Sequence, residues 1–350
     1  MKRSIPLTAV LCAVLLLPAA RGRAQDLYVG SNAANVTRNF TSGLYIYNNA
    51  YVGYETNATN NLLNVSGAGT VLNNPNSASD CIIGWAGSGN SMVISNGGKV
   101  DFGEGRVGDQ ATASNNRVLV AGTNSLWIAR LGTNYAGFGG DLFVGHRGSS
   151  NSLIISNGGT VADTFGYIGY FNSSNNSGLV TGAGSLWTNS GGLSVGYQGS
   201  GNSLVISNRG TVANREVTIG FEVGSSNNTV LVTGSNSLLT NSSWLVAGWH
   251  GSGNSLTISN GARAIVTDVY VANASGGSNT ILVTGTGSLL NANGVTGDFW
   301  IGRSGFGNNS LVISDGGTVS DKSASIGYAS SASNNSVLVT GTNSLWTNSG

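Results

Sequence analysis

Few side chains in this sequence could do chemistry, and their spacing limits what that chemistry could be. His146 and His250 are the only histidines. Each lies just after a Val-Gly or Val-Ala-Gly phrase, so they read as a recurring pair rather than as two ligands of one ion, whose ligands sit about 2 Å away. Asp101, Glu104 and Asp109, with Arg106 among them, are the one acidic cluster. Paired carboxylates cleave glycosides when roughly 5–9.5 Å apart. A catalytic groove should also gather Lys or Arg, yet Lys99 and Lys322 are the only lysines past residue 24. No Gly-x-Ser-x-Gly elbow with a His and an acid in reach is present, nor a Gly-rich nucleotide loop with its Lys. Calcium-binding Gly/Asp repeats need an Asp in every turn, and the Gly-rich corners Gly199–Asn202 and Gly251–Asn254 lack it. The expectation is a chain that is not an enzyme and takes no cofactor or metal.

Composition narrows the partners. Gly makes up 55 of 350 residues, charged residues only 8%, and Pro only 3. Ample Val, Leu and Ile argue against a Gly-rich linker, and Gly without a three-residue period is not collagen. Lys2, Arg3, Arg21 and Arg23 hold much of the positive charge; the rest carries 11 basic and 14 acidic residues. No basic stripe remains for nucleic acid.

Residues 1–24 read as a secretory signal peptide. Lys2 and Arg3 form the positive start, Leu7 to Leu17 the apolar core, and Gly22-Arg23-Ala24 a small-residue cut before Gln25. That core is too short to span a bilayer, so no transmembrane segment is expected in the mature chain. Cys12 falls inside it, leaving Cys81 alone and no intramolecular disulfide.

The chain repeats itself. Ser-Leu-x-Ile-Ser recurs from Ser91 (with Met92), Ser152, Ser203, Ser255 and Ser310, a double unit of about 51–61 residues. A Val/Ile-Gly landmark halves this period, at Gly30, Gly53, Gly84, Gly108, Gly145, Gly169, Gly196, Gly220, Gly248, Ala272, Gly302 and Gly327, about 27 residues apart on average. Each unit holds two or three short runs in which apolar and small polar residues alternate, divided by Gly and Asn. Such a unit cannot bury an apolar face alone; stacked on its equivalents it can. The pattern predicts an all-β chain, a right-handed parallel β-helix (β-solenoid) of about 12 coils. Residues 25–52 form an N-terminal cap and first coil, and residues 53–350 the solenoid repeats, with the last coil incomplete. Asn90, Asn151, Asn202, Asn254 and Asn309 should stack at one corner of every second coil as an amide ladder.

The phrases Asn-Ser-Leu-x-Ile-Ser-Asn-Gly-Gly-x-Val and Val-Leu-Val-Thr-Gly-x-x-Ser-Leu-Trp resemble a repeat of bacterial surface proteins. It is shared by autotransporter (type V secretion) passengers and by proteins with the PEP-CTERM sorting signal, and the likeness covers about Asp26 to Gly350. The resemblance implies a secreted or cell-surface, outer-membrane-associated solenoid: an adhesin-like passenger or envelope scaffold, with surface glycans or other envelope proteins as partners. It implies no catalytic residues. The family's C-terminal barrel or Pro-Glu-Pro sorting tail does not follow, and Ser344–Gly350 repeats Ser185–Gly191 in mid-coil. An incomplete gene product is therefore expected.

Two alternatives stay open: a carbohydrate-binding surface solenoid, and a polysaccharide-active enzyme whose catalytic part is missing. The aromatics bear on the first. Tyr54, Trp85, Tyr170, Tyr197, Phe221, Trp249 and Tyr328 follow landmark positions, and Trp127, Trp187 and Trp346 follow Ser-Leu. In a solenoid both sets become columns, either stacked for stability or offered to a glycan. Spacing is also loosest after the Ser-Leu phrase, where strands cannot vary without losing register. The largest such stretch, residues 128–141, should be a loop whose Arg130, Tyr135 and Phe138 contact a partner or glycan.

Overall fold

The computed structural model describes residues 25–74, 79–129, 140–304 and 306–350. Residues 1–24, expected to be a signal peptide, lie outside the described residues. Thirty-six strands form three parallel sheets of twelve strands each. The first sheet opens with Leu27–Val29, the second with Thr37–Phe40 and the third with Leu44–Ile46, and every strand pairs with the one three further along the chain. The result is a right-handed β-solenoid of about twelve coils, about 26 residues apart. At about 4.8 Å per coil this is a rod of roughly 55 Å. Among the described residues no helix is long and apolar enough to cross a membrane. The Val/Ile landmarks pair in register from coil to coil, as in Val29↔Val52, Val144↔Ile168 and Val195↔Ile219.

Alternation builds the core. Strands of the second sheet point two aliphatic side chains inward, such as Leu204 and Ile206, both fully buried. Their outward residues are polar or small at both ends, Ser203 and Ser207 here. The third sheet sends one large side chain in per strand, and two of these are Trp127 and Trp187. Each indole fits because glycines face it within its own coil. A Cβ on Gly105 would come within 2.7 Å of the Trp127 ring, and one on Gly166 within 3.0 Å of Trp187. Val161 lies between the two indoles in register, so large and small residues alternate down the column.

The corner after each landmark carries the main polar device. Asn61, Asn90, Asn116, Asn151, Asn176, Asn202, Asn228, Asn254, Asn279, Asn309 and Asn335 form one column, a rung in every coil after the first, where Val36 takes the place, rather than in every second one. The added rungs sit mostly in Asn-Asn pairs of the longer repeats, where the flanking phrase gives no cue. From Asn90 on, each Oδ1 accepts two bonds from the preceding coil, while Asn61 accepts only the main-chain N–H of Val36. Asn202, for example, donates its main-chain N–H (2.9 Å) and its Nδ2 (3.1 Å) to Asn228 Oδ1. The landmark glycines make room for this. Gly196 has φ +77°, which L side chains rarely adopt, and a Cβ there would sit 2.2 Å from Asn228 Nδ2.

Ala272 breaks the glycine column while keeping its backbone, at φ 64°. The Asn279 Nδ2 bond to Asn309 beside it is 3.3 Å, the longest amide contact of the ladder. Ala272→Gly should therefore stabilise the rod by about 1 kcal/mol, read from the midpoint of urea unfolding. Asn228→Ala leaves the buried main-chain N–H of Asn202 and one hydrogen of its amide without an acceptor, the other hydrogen keeping Ser173 O. It should cost about 2–4 kcal/mol by the same measurement.

Candidate functional site

Chemistry-bearing side chains gather on the outer face of the first sheet, because two positions there point out of every coil. One is the middle residue of the strand, the other the residue after the landmark glycine. Stacked coils turn them into two neighbouring columns. Phe143 stacks on Tyr167 at 5.0 Å and 9° in the first column. His146, Tyr170, Tyr197 and Phe221 form an unbroken pile in the second, with centroids 5.6, 4.9 and 4.9 Å apart and ring planes within 22°. Tyr197 thus has a ring on both faces and shows its edge outward. At the other end of the sheet, Arg303 lies over Tyr270 (5.5 Å) and Trp300 (5.7 Å). Stacking along the rod is the main use of these rings.

The other aromatic column is not a surface at all. Trp127 and Trp187 are buried in the core, so neither is available to a glycan, and Trp346 packs against the same core. Two of these indoles share a clasp. Trp187 Nε1 donates to Asp163 Oδ2 at 2.6 Å, and Asn189 donates to the other oxygen of that carboxylate. Asp321, Trp346 and Asn348 repeat the arrangement. In the Trp127 coil the equivalent of Asp163 is Phe102, and Trp127 Nε1 has no acceptor.

Next to the aromatic pile lies the charged cluster. Arg106 binds Glu104 and also Asp109 (3.1 Å), and His146 Nδ1 donates to Asp109 Oδ1 at 2.9 Å. Register adds acids that the linear sequence keeps apart. Asp80 pairs with Glu104, and Asp141 follows in the next coil. Asp101, grouped with these acids by sequence, belongs instead to the third sheet and is buried there. Burial works against the Asp109 charge, but the His146 bond and the Arg106 charge outweigh it and hold that carboxyl below its usual range. Burial pushes Asp80 up, against the pull of Arg106. Burial and then the Glu104 charge push Asp141 up to about 6. Arg106 and His146 are both turned to acids of the cluster.

His250 sits four coils from His146, as spacing predicts, and bonds the Ser275 hydroxyl at 2.8 Å. No group of three or more His, Cys, Asp or Glu among the described residues could hold a metal ion. Arg130, Tyr135 and Phe138 lie outside the described residues.

One more feature of this face escaped the sequence. A cavity of about 160 Å³ opens between Phe165, Tyr167, Leu193, Ser194, Tyr197, Glu216, Thr218 and Phe221. It exists because the first column has only Ser194 and Thr218 where the two preceding coils carry Phe143 and Tyr167, Ser194 lying directly on Tyr167 in register.

Burial pushes Asp163 up to about 7, against the bonds from Trp187 and Asn189. The folded chain then binds that proton more tightly than the unfolded chain, whose Asp titrates near 4. The contribution of this group to stability should be fullest below about pH 4 and should be lost as pH rises through about 7. Asp163→Asn keeps an acceptor for Trp187. After the Asn189 amide turns over, it also supplies a donor to Asn189 Oδ1, which has no partner. The variant should raise the melting temperature at pH 8 by about 2–4 °C and flatten its pH dependence. A scan against family models, a search of curated proteins and a search of solved structures each found no match to this chain.

Proposed function

We propose that this protein is a non-catalytic, exported β-solenoid that acts as a rigid rod at the cell surface, an adhesin-like passenger or envelope scaffold. The observation that carries the reading is the way the twelve coils use their polar and aromatic groups. The asparagine column, the aromatic pile and the Trp–Asp–Asn clasps all bind coil to coil along one axis. The charged cluster satisfies itself internally, with Arg106 and His146 both turned to acids of the same cluster. That favours length and stiffness over a reacting centre.

The remaining faces suit contact with other envelope material. From Ser152 to Thr340, the outward positions of the second sheet carry no charged residue; each strand presents a small or hydroxyl residue, a middle residue that is mostly aliphatic, and a second hydroxyl. Such a face is flat and neutral, and its columns repeat at about 4.8 Å.

Localisation and shape test the reading together. An epitope-tagged full chain should be recovered from the envelope or medium with residues 1–24 removed, and small-angle scattering should give an elongated particle. Retention of the uncut chain in the cytoplasm would sink the proposal. So would steady release of reducing ends from a polysaccharide panel by the pure protein.

A further inference from the structure

We infer that the cavity on the first sheet is a binding site for a single neutral sugar ring. It goes beyond the rod reading and stands or falls separately from it. Three observations converge. The first is an open aromatic face. Phe143 covers one side of Tyr167 in parallel stacking, while the next residue in register on the other side is Ser194, so no ring stacks there. The C–H face of a pyranose lies flat on such a ring.

The second is a set of polar groups with nothing else to bind. The Glu216 carboxylate has no hydrogen bond or ion pair among the described residues, and neither have the hydroxyls of Ser194 and Thr218. Thr218 is only 5% exposed and lines the cavity. A carboxylate accepts from two adjacent hydroxyls at once, which is how a vicinal diol would be held.

The third is that neighbouring glycines give the wall its shape. Phe165 and Glu216 reach the cavity across Gly191 and Gly192. A Cβ on Gly191 would come within 2.6 Å of the Phe165 ring, and one on Gly192 within 2.9 Å of Glu216 Cγ. Any side chain at either position would displace a wall of the site.

The ring geometry selects the ligand class. A carboxylate beside an open ring face also suits an ammonium group, so the second ring of the cavity decides between the two. Tyr197 has both faces occupied, by Tyr170 and Phe221, and stands at 89° to Tyr167. It offers its edge, the positive part of the ring quadrupole, which repels an ammonium and tolerates sugar oxygens. A negatively charged sugar would meet Glu216 unpaired. The volume of about 160 Å³ has room for one ring and little more.

Saturation-transfer NMR on the full chain tests this with the methyl glycosides of glucose, galactose, mannose and N-acetylglucosamine, alongside choline and methyl glucuronide. At least one neutral glycoside should bind with a Kd of about 1 mM. Glu216→Gln should weaken it about tenfold. Ser194→Phe extends the column over Tyr167, fills the cavity with a residue type the neighbouring coils already carry, and should abolish binding at unchanged melting temperature. Tyr270→Ala, further along the same face, should leave it intact. No binding by any neutral glycoside at roughly fifty times that concentration overturns the inference. So does choline binding alone, or a neutral glycoside that binds Ser194→Phe as well as the parent chain.

Discussion

Each coil is registered on the next by an asparagine amide, and the rest of the structure depends on that contact. The side-chain oxygen takes two hydrogen bonds from the coil before it, one from the main chain and one from the equivalent amide. Because the acceptor is buried, a slip of one residue would leave both donors unpaired in the interior, at a cost that packing could not offset. The landmark glycine is the other half of the device, since its missing Cβ is where the next amide sits. A column of one contact repeated in every coil also makes stability nearly additive along the rod.

With register fixed at one corner, the other corners can absorb variation. Steps along the asparagine column range from 25 to 35 residues without disturbing the strands, and the extra residues of the longest step fall in the chain between a strand of the third sheet and one of the first. The first sheet beside these insertions is where unusual residues collect. There the amide column no longer dictates side chains, and stacking of rings takes over as the coil-to-coil contact. Function on a rod of this kind is best sought where stacking lapses. Ser194 and Thr218 are such a lapse: they replace bulk by two hydroxyls and leave one Tyr167 face and one carboxylate unoccupied.

The buried acids follow the same logic. Asp163 and Asp321 are held inside by an indole N–H and an amide from the next coil. They are acceptors that satisfy the indole N–H of Trp187 and Trp346 where these rings enter the core. The surface acids beside His146 are drawn together only by stacking, which brings Asp80, Glu104 and Asp141 into line although the chain separates them.

The sequence by itself determined the architecture, since the spacing of Val/Ile-Gly and the alternation within Leu204–Ile206 and its equivalents admit only stacked parallel coils. It determined half of the amide ladder, where Asn precedes Ser-Leu, and missed Asn61, Asn116, Asn176, Asn228, Asn279 and Asn335 because variable linkers precede them. Only the tertiary structure decided which way each column faces. Trp127 and Trp187 turned inward because Gly105 and Gly166 empty the space opposite, a fact about other strands of the same coil. Tyr170 and Tyr197 turned outward into a pile that consumes their faces. The cavity beside Tyr167 needed three coils to be laid in register before the absence of a ring at Ser194 became a space. Local pattern sets period and strand, but a side chain's neighbours in a solenoid are about 26 residues away, and their identities meet only after the coils close.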